Sequence, residues 1–192
     1  MGQWRDMFNS AMMALTVKDL HYAVSTGKND YVLNLLTQYP DVINRIDGGT
    51  GMNALMMAVV EGPVGTMKLL LDKGASIKGL SKGGLNVLHM SIISGKKDKT
   101  ALLLQSNDIG SIINQKDPKE GITPLMDAAS IPEAADVVQR LLERGADPAI
   151  KDHKGRTALM IAQQKGLSDT VALLERWIGI EKPKRGPRNF KF

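Results

Sequence analysis

The side chains that most often carry catalysis or bind metals are scarce in this 192-residue chain, which contains three histidines and no cysteine. His21, His89 and His153 lie far apart, and no two have the spacing that places two metal ligands on one helix face. Without cysteine there is no disulfide, no thiolate metal site and no cysteine nucleophile. We therefore expect no catalytic residue, no metal site and no cofactor.

Two further segments contain residue types that phosphate or calcium sites use. The glycine-rich run 47–51 lacks the Gly-Lys-Ser/Thr sequence of a phosphate-binding loop, so a tight connection with positive φ explains its glycines better. Asp117 and Glu120 flank a predicted turn at Pro118, but a calcium loop needs more oxygen ligands at regular spacing. We predict neither enzymatic activity nor a small-molecule substrate.

The net charge of +5 is concentrated near the C-terminus. Residues 179–192 contain five basic residues and one acidic residue, a net charge of +4, which leaves +1 for residues 1–178. A nearly neutral body argues against a nucleic-acid-binding face spread over the fold.

Three features bear on the compartment. The longest wholly apolar run, 54–60, has seven residues, whereas a membrane-spanning helix needs roughly 20. Residues 1–15 lack the basic start and apolar stretch of a secretory signal, and the absence of cysteine fits a reducing environment. We expect an intracellular, cytoplasmic protein without a transmembrane segment, with the nucleus or an organelle as alternatives.

A pattern of leucine, two further residues and a small residue recurs five times along the chain. Its leucines are separated by 35, 33, 37 and 34 residues, and four of them follow a glycine four positions earlier. The five leucines are Leu20, Leu55, Leu88, Leu125 and Leu159. Such a period indicates a repeat architecture of five units.

Each unit has the pattern of two short antiparallel helices. In the second unit, Leu55 and Ala58 share one helical face. The glycine and proline at 62–63 end the first helix and begin the second, and Gly74 ends the second helix before a hairpin-like connection. Because neither helix can bury its apolar stripe alone, the units must stack.

These residues resemble the ankyrin repeat, whose signature is Gly-x-Thr-Pro-Leu-His-x-Ala-Ala, followed by Gly, a Leu-Leu pair and Gly-Ala-Asp. The fourth unit matches most fully, at 121–129 and 145–147, and the resemblance covers about residues 16–178. It implies an all-α solenoid of about five helix-turn-helix units joined by hairpin-like loops. It also implies that His21 and His89 hydrogen-bond backbone groups between repeats.

The resemblance further implies that partners bind in a concave groove formed by the hairpin tips and the first helix of each unit. Apolar residues occupy positions of this groove that the core does not require, namely Met52, Leu85, Ile122, Val60, Ile93 and Ile131. They form either an apolar strip for a partner segment or packing beneath the long connections. In the fifth unit the equivalent positions carry Arg156 and Lys165, and His153 lies at a predicted hairpin tip as a surface contact.

Residues 1–15 form an amphipathic helix that we expect to cap the first repeat. Its apolar stripe has helical spacing and consists of Trp4, Met7, Phe8, Ala11, Met12 and Leu15. A targeting presequence fits this segment less well, since Arg5 is its only base.

Residues 179–192 form a basic tail that we expect to be extended. It is either solvated and disordered or an arm that binds an acidic protein or a nucleic-acid backbone. Its candidate contact residues are Lys182, Lys184, Arg185, Arg188, Phe190 and Phe192.

The sequence thus predicts a non-enzymatic protein–protein interaction module, either an adaptor or a subunit of a stable multi-subunit assembly. It would bind one or more proteins through the concave groove and the terminal arms. The alternative is a ribonucleoprotein component that contacts RNA through the basic tail.

Overall fold

A computed structural model describes the backbone of residues 2–180 and the side chains of residues 11–179. The described residues contain ten α-helices and no β-strand beyond one isolated antiparallel bridge between Leu80 and Asn86. The helices are α1 (Gly2–Ser25), α2 (Asn29–Gln38), α3 (Ala54–Val60), α4 (Val64–Asp72), α5 (Val87–Ile93), α6 (Lys97–Leu103), α7 (Pro124–Ala128), α8 (Ala135–Glu143), α9 (Ala158–Lys165) and α10 (Ser168–Ile180). Short 3-10 helices at Pro40–Asn44 and Ile109–Ser111 lie in the longer connections that follow units one and three.

The helices form five pairs, α1 with α2 through α9 with α10, and the predicted helix-turn-helix units are confirmed. The first helices α1, α3, α5, α7 and α9 contact one another in order along the stack. The second helices α4, α6, α8 and α10 form a parallel outer row. The result is a two-layered solenoid in which each unit contacts its neighbours.

The first helices of units two to five begin with the same kind of cap. Asn53 and Asn86 accept hydrogen bonds from backbone N–H groups of α3 and α5, and Thr123 and Thr157 do so for α7 and α9. Asparagine is as good an N-cap as threonine. The two units that depart from the Thr-Pro signature therefore keep the local interaction that starts the helix.

The core runs through the stack along the repeated leucines. Leu20, Leu55, Leu88 and Leu125 are fully buried, whereas Leu159 is half-buried. The small residues three positions after them are buried in all five units, as close packing of neighbouring first helices requires. Leu159 is more accessible because the described chain places no sixth unit against it.

The last helix runs past the position at which glycine ends two of its counterparts, because a tryptophan stands there. Gly74 and Gly145 follow α4 and α8 with φ of 85° and 96°, a conformation that glycine adopts without a steric penalty. Trp177 holds the equivalent position, three residues after a Leu-Leu pair, and α10 continues to Ile180.

The predicted capping segment and the first helix of unit one form a single unbroken helix, α1. Met13 packs partly against the core, but Ala11, Met12 and Leu15 are exposed. The side chains of Trp4, Met7 and Phe8 and most of the predicted tail lie outside the described residues, so the cap and the extended tail stay predictions. Among residues 2–180, no helix is both long and apolar enough to cross a membrane.

Candidate binding groove

A groove of about 330 Å³ opens on the side of the solenoid formed by α5, α7, α9 and the hairpin-like connections. Its apolar walls come from three units and consist of Leu85, Ile93, Ile122, Met126 and Ile161. Ile93 is 56% exposed at the end of α5. Leu85 and Ile122 are half-buried, and Met126 and Ile161 are buried beneath the groove. Ile93 is therefore the wall residue that the fold leaves exposed.

The connections that form one wall are stacked tip against tip. In each of them a residue donates its backbone N–H across the turn, as in the bond from Asp117 N to Ile122 O, at 2.9 Å. Successive tips are also joined, since His153 donates its backbone N–H to the Glu120 carbonyl at 2.8 Å and its ring lies on Gly121. A Cβ at Gly121 would collide with that ring, so glycine is required for this stacking.

Asp117 holds the connection between units three and four in shape at the edge of the groove. Its carboxylate accepts three backbone N–H groups, from Lys119 and Glu120 at 2.8 Å each and from Ile122 at 2.7 Å. Burial alone would raise the pKa of Asp117, but these hydrogen bonds hold the pKa below its ordinary value. The Asp117 carboxylate therefore accepts its hydrogen bonds from the backbone of its own loop.

A histidine and an aspartate from neighbouring units meet at the floor of the groove. His89 Nε2 lies 3.0 Å from the Gln115 carbonyl oxygen, and His89 Nδ1 lies 2.6 Å from Asp127 Oδ2. The carbonyl can only accept, so Nε2 carries a proton; the short Nδ1–Oδ2 contact needs a second proton between those two atoms. Burial raises the pKa of Asp127 above its ordinary value.

The basic side chains of unit five lie at the far end of the groove. Arg156 donates two hydrogen bonds to Asp152 Oδ2, at 2.8 Å from Nε and 2.7 Å from a terminal nitrogen. A further contact of 3.3 Å joins Arg156 to Gln164. Lys165 is exposed at the rim.

The structure brings some of the predicted contact residues together and separates others. Leu85, Ile93, Ile122, Arg156 and Lys165 line the groove. Ile131 lies instead in a separate pit of about 30 Å³, between α5 and α8.

The remaining predicted contacts lie away from the groove. Met52 is half-buried against the core, and Val60 is exposed at the end of α3. His153 is exposed but is engaged with Gly121, as described above. The predicted tail contacts from Lys182 to Phe192 lie outside the described residues.

Sequence reasoning missed Asp127, Met126 and Ile161 as groove residues. The repeat pattern does contain a signal for Asp127, which lies just before the small residue of unit four. In the other units that position holds Tyr22, Met57, Met90 and Ile161. A single acid in a row of apolar and aromatic residues marks a departure from the repeat pattern.

Comparison with known proteins agrees with this geometry. A family model described as ankyrin repeats, in three copies, matches residues 20–117 and 100–184. The chain belongs to the ankyrin repeat family. Ankyrin repeats act as protein–protein interaction modules and are generally not enzymes, so membership implies protein partners.

Curated relatives carry the same repeats within much longer proteins. The chain is 30% identical to ankyrin repeat protein nuc-2 of Neurospora crassa over 81% of its own length and 17% of the relative's. It is 30% identical to the B-cell lymphoma 3 protein homolog of Mus musculus, over 82% of the chain and 35% of the relative. Mouse Rabankyrin-5 matches at 26% identity, over 74% of the chain and 13% of the relative. The chain thus spans about a third or less of these relatives.

Proposed function

We propose that this ankyrin repeat chain is a non-enzymatic binding module that captures a segment of a partner protein in the groove. It would act as an adaptor or as a subunit of a larger assembly. The observation that carries the proposal is the exposed Ile93, which lines the groove together with the half-buried Leu85 and Ile122.

The proposed driving force is burial of these side chains. Fully burying an isoleucine or leucine side chain contributes about 1.5–3 kcal/mol, and Ile93 exposes more than half of its surface. Exposed apolar residues that adjoin one another are typical of a protein interaction site.

The composition around the apolar wall also supports the proposal. Lys119, Glu120, Arg156 and Lys165 border the apolar residues, and protein interfaces commonly have an apolar centre within a polar rim.

The test is to select random dodecapeptides displayed on phage for binding to the full chain, and to remeasure each binder on variants. Ile93→Asp should weaken groove-bound peptides by about tenfold or more, because a charge replaces an apolar contact. Ile46→Asp is the matched control, since Ile46 is similarly exposed, at 54%, and lies outside the groove.

Two outcomes would contradict the proposal. One is a set of binders that Ile93→Asp leaves unchanged. The other is binding that disappears when residues 181–192 are deleted and weakens steeply with salt, which would favour the tail and the alternative of RNA binding.

A further inference from the structure

Asp127 places a carboxylate in a row of positions that are otherwise apolar or aromatic. It lines the groove beside Met126 of the same helix and Ile161 of the next unit. Its side chain is only 15% exposed, so little water reaches the carboxylate.

One oxygen of this carboxylate has a hydrogen-bond partner, and the other has none among the described residues. Asp127 Oδ2 contacts His89 Nδ1, while Oδ1 accepts no hydrogen bond from the described residues. In that part of the chain, His21 Nε2 is the only buried side-chain polar atom without a partner, so Oδ1 is accessible from the groove. Whichever of the two atoms carries the proton between Oδ2 and His89 Nδ1, Oδ1 keeps lone pairs that can accept further hydrogen bonds.

The charged groups that line the groove differ in burial. Asp117 is buried and Asp127 half-buried beside His89, whereas Glu120 is exposed. Among the bases, Arg156 is engaged by Asp152. The other two lining bases, Lys119 and Lys165, are exposed.

We propose that the groove receives one arginine side chain of the partner segment, with its guanidinium group on Asp127 Oδ1. The inference rests on the proposed function, because it names what the captured segment contributes. The methylene stem of the arginine would lie against Ile122, which is half-buried and lines the groove. Its planar group would supply the donors that Oδ1 lacks. Lysine fits less well because its ammonium group is more strongly hydrated.

The experiment uses the groove-binding dodecapeptides, defined as those that Ile93→Asp weakens and Ile46→Asp does not. Each arginine in such a peptide is replaced by citrulline, which has the same shape without the charge. At the docking position, this replacement should weaken binding to the unaltered chain by about tenfold. Because that comparison changes only the peptide, it does not depend on the folding of a variant.

The same pair of peptides is then measured on Asp127→Asn. Asparagine keeps a carbonyl oxygen for His89, and the arginine and citrulline peptides should now bind alike. Asp136→Asn is the control, since Asp136 is a carboxylate of α8 outside the groove and its loss should leave the tenfold preference intact.

Three results would overturn the inference. Groove-binding peptides without an arginine requirement would overturn it and leave the proposed function standing, as would an arginine preference that persists in Asp127→Asn. If no selected peptide is sensitive to Ile93→Asp, the inference and the proposed function both fail.

Discussion

The ammonium nitrogen of Lys99 lies 2.6 Å from the carbonyl oxygen of Gly62, across the boundary between units two and three. It also donates to the carbonyls of Ala58 and Val59, at 2.8 Å each. The lysine is 4% exposed, and its three N–H donors are used on the carbonyls at the end of α3. A cation placed there also interacts favourably with the helix dipole.

Replacing Lys99 should therefore destabilise the stack strongly. Lys99→Met keeps the length of the side chain but leaves carbonyls of α3 without donors, and we expect a loss of about 3 kcal/mol in the free energy of unfolding. Urea denaturation followed by circular dichroism measures it, with exposed Lys96→Met as the control. A loss no larger than that of the control would show that the lysine does not hold the two units together.

His21 and His89 occupy the signature's histidine position, where the chain has methionine in units two, four and five. Replacing each of them by methionine should change the free energy of unfolding differently. His89→Met removes the partner of Gln115 O and Asp127, and should destabilise by about 2 kcal/mol. His21 has a buried Nε2 without a partner, so His21→Met should be neutral or stabilising. Thermal unfolding of the two variants compares them, and equal losses would contradict the difference in hydrogen bonding.

Glu133 has a φ of 58°, in the turn between α7 and α8. The left-handed conformation costs a non-glycine residue roughly 1–2 kcal/mol. Glu133→Gly should raise the free energy of unfolding by up to about 1 kcal/mol, since glycine loses some of this gain to its greater freedom in the unfolded chain.

The reciprocal substitution is Gly95→Ala, at the same place in unit three. Gly95 has a φ of 67° with open space around it, so alanine should cost about 1 kcal/mol through backbone strain alone. Stabilisation by Gly95→Ala, or destabilisation by Glu133→Gly, would refute this reading of the two turns.

Acid should weaken the connection between units three and four through Asp117. The folded pKa of this carboxyl lies below the ordinary value of 3.8, so the folded state favours the ionised form. The resulting stability is fully present above that ordinary value and is lost as the pH falls through the folded pKa. Asp117→Asn should reduce stability at pH 7 and flatten its acid-side dependence, measured by urea denaturation from pH 7 down to pH 2. An unchanged slope would exclude the carboxylate as a source of the acid sensitivity.

Much of the architecture was predictable because it follows from local patterns. The spacing of Leu55, Leu88 and Leu125 predicts the units, and the family resemblance assigns the hairpins. The N-caps at Asn53 and Asn86 were not predicted, although they preserve the function of the signature threonine.

The interactions between units were harder to foresee. Lys99 and Gly62 are distant in sequence, so no local pattern indicates that the lysine caps α3. Ile131 lies six residues after Leu125, whereas Ile93 lies five residues after Leu88. The position of Ile93 is held in unit four by Ser130, which lines the groove, and Ile131 lies in the separate pit. Asp127 was not predicted because the expected strip consisted of apolar residues, and aspartate is not one of them.

The role of the groove is tested most directly by methyl NMR of the full chain, with isoleucine labelled and a selected dodecapeptide added. If the peptide binds in the groove, the methyl chemical shifts of Ile93, Ile122 and Ile161 should change and reach a plateau as peptide is added. The methyl chemical shifts of Ile46 and Ile178 should stay unchanged. Shifts confined to Ile46 or Ile178, with the three groove isoleucines unaffected, would contradict it.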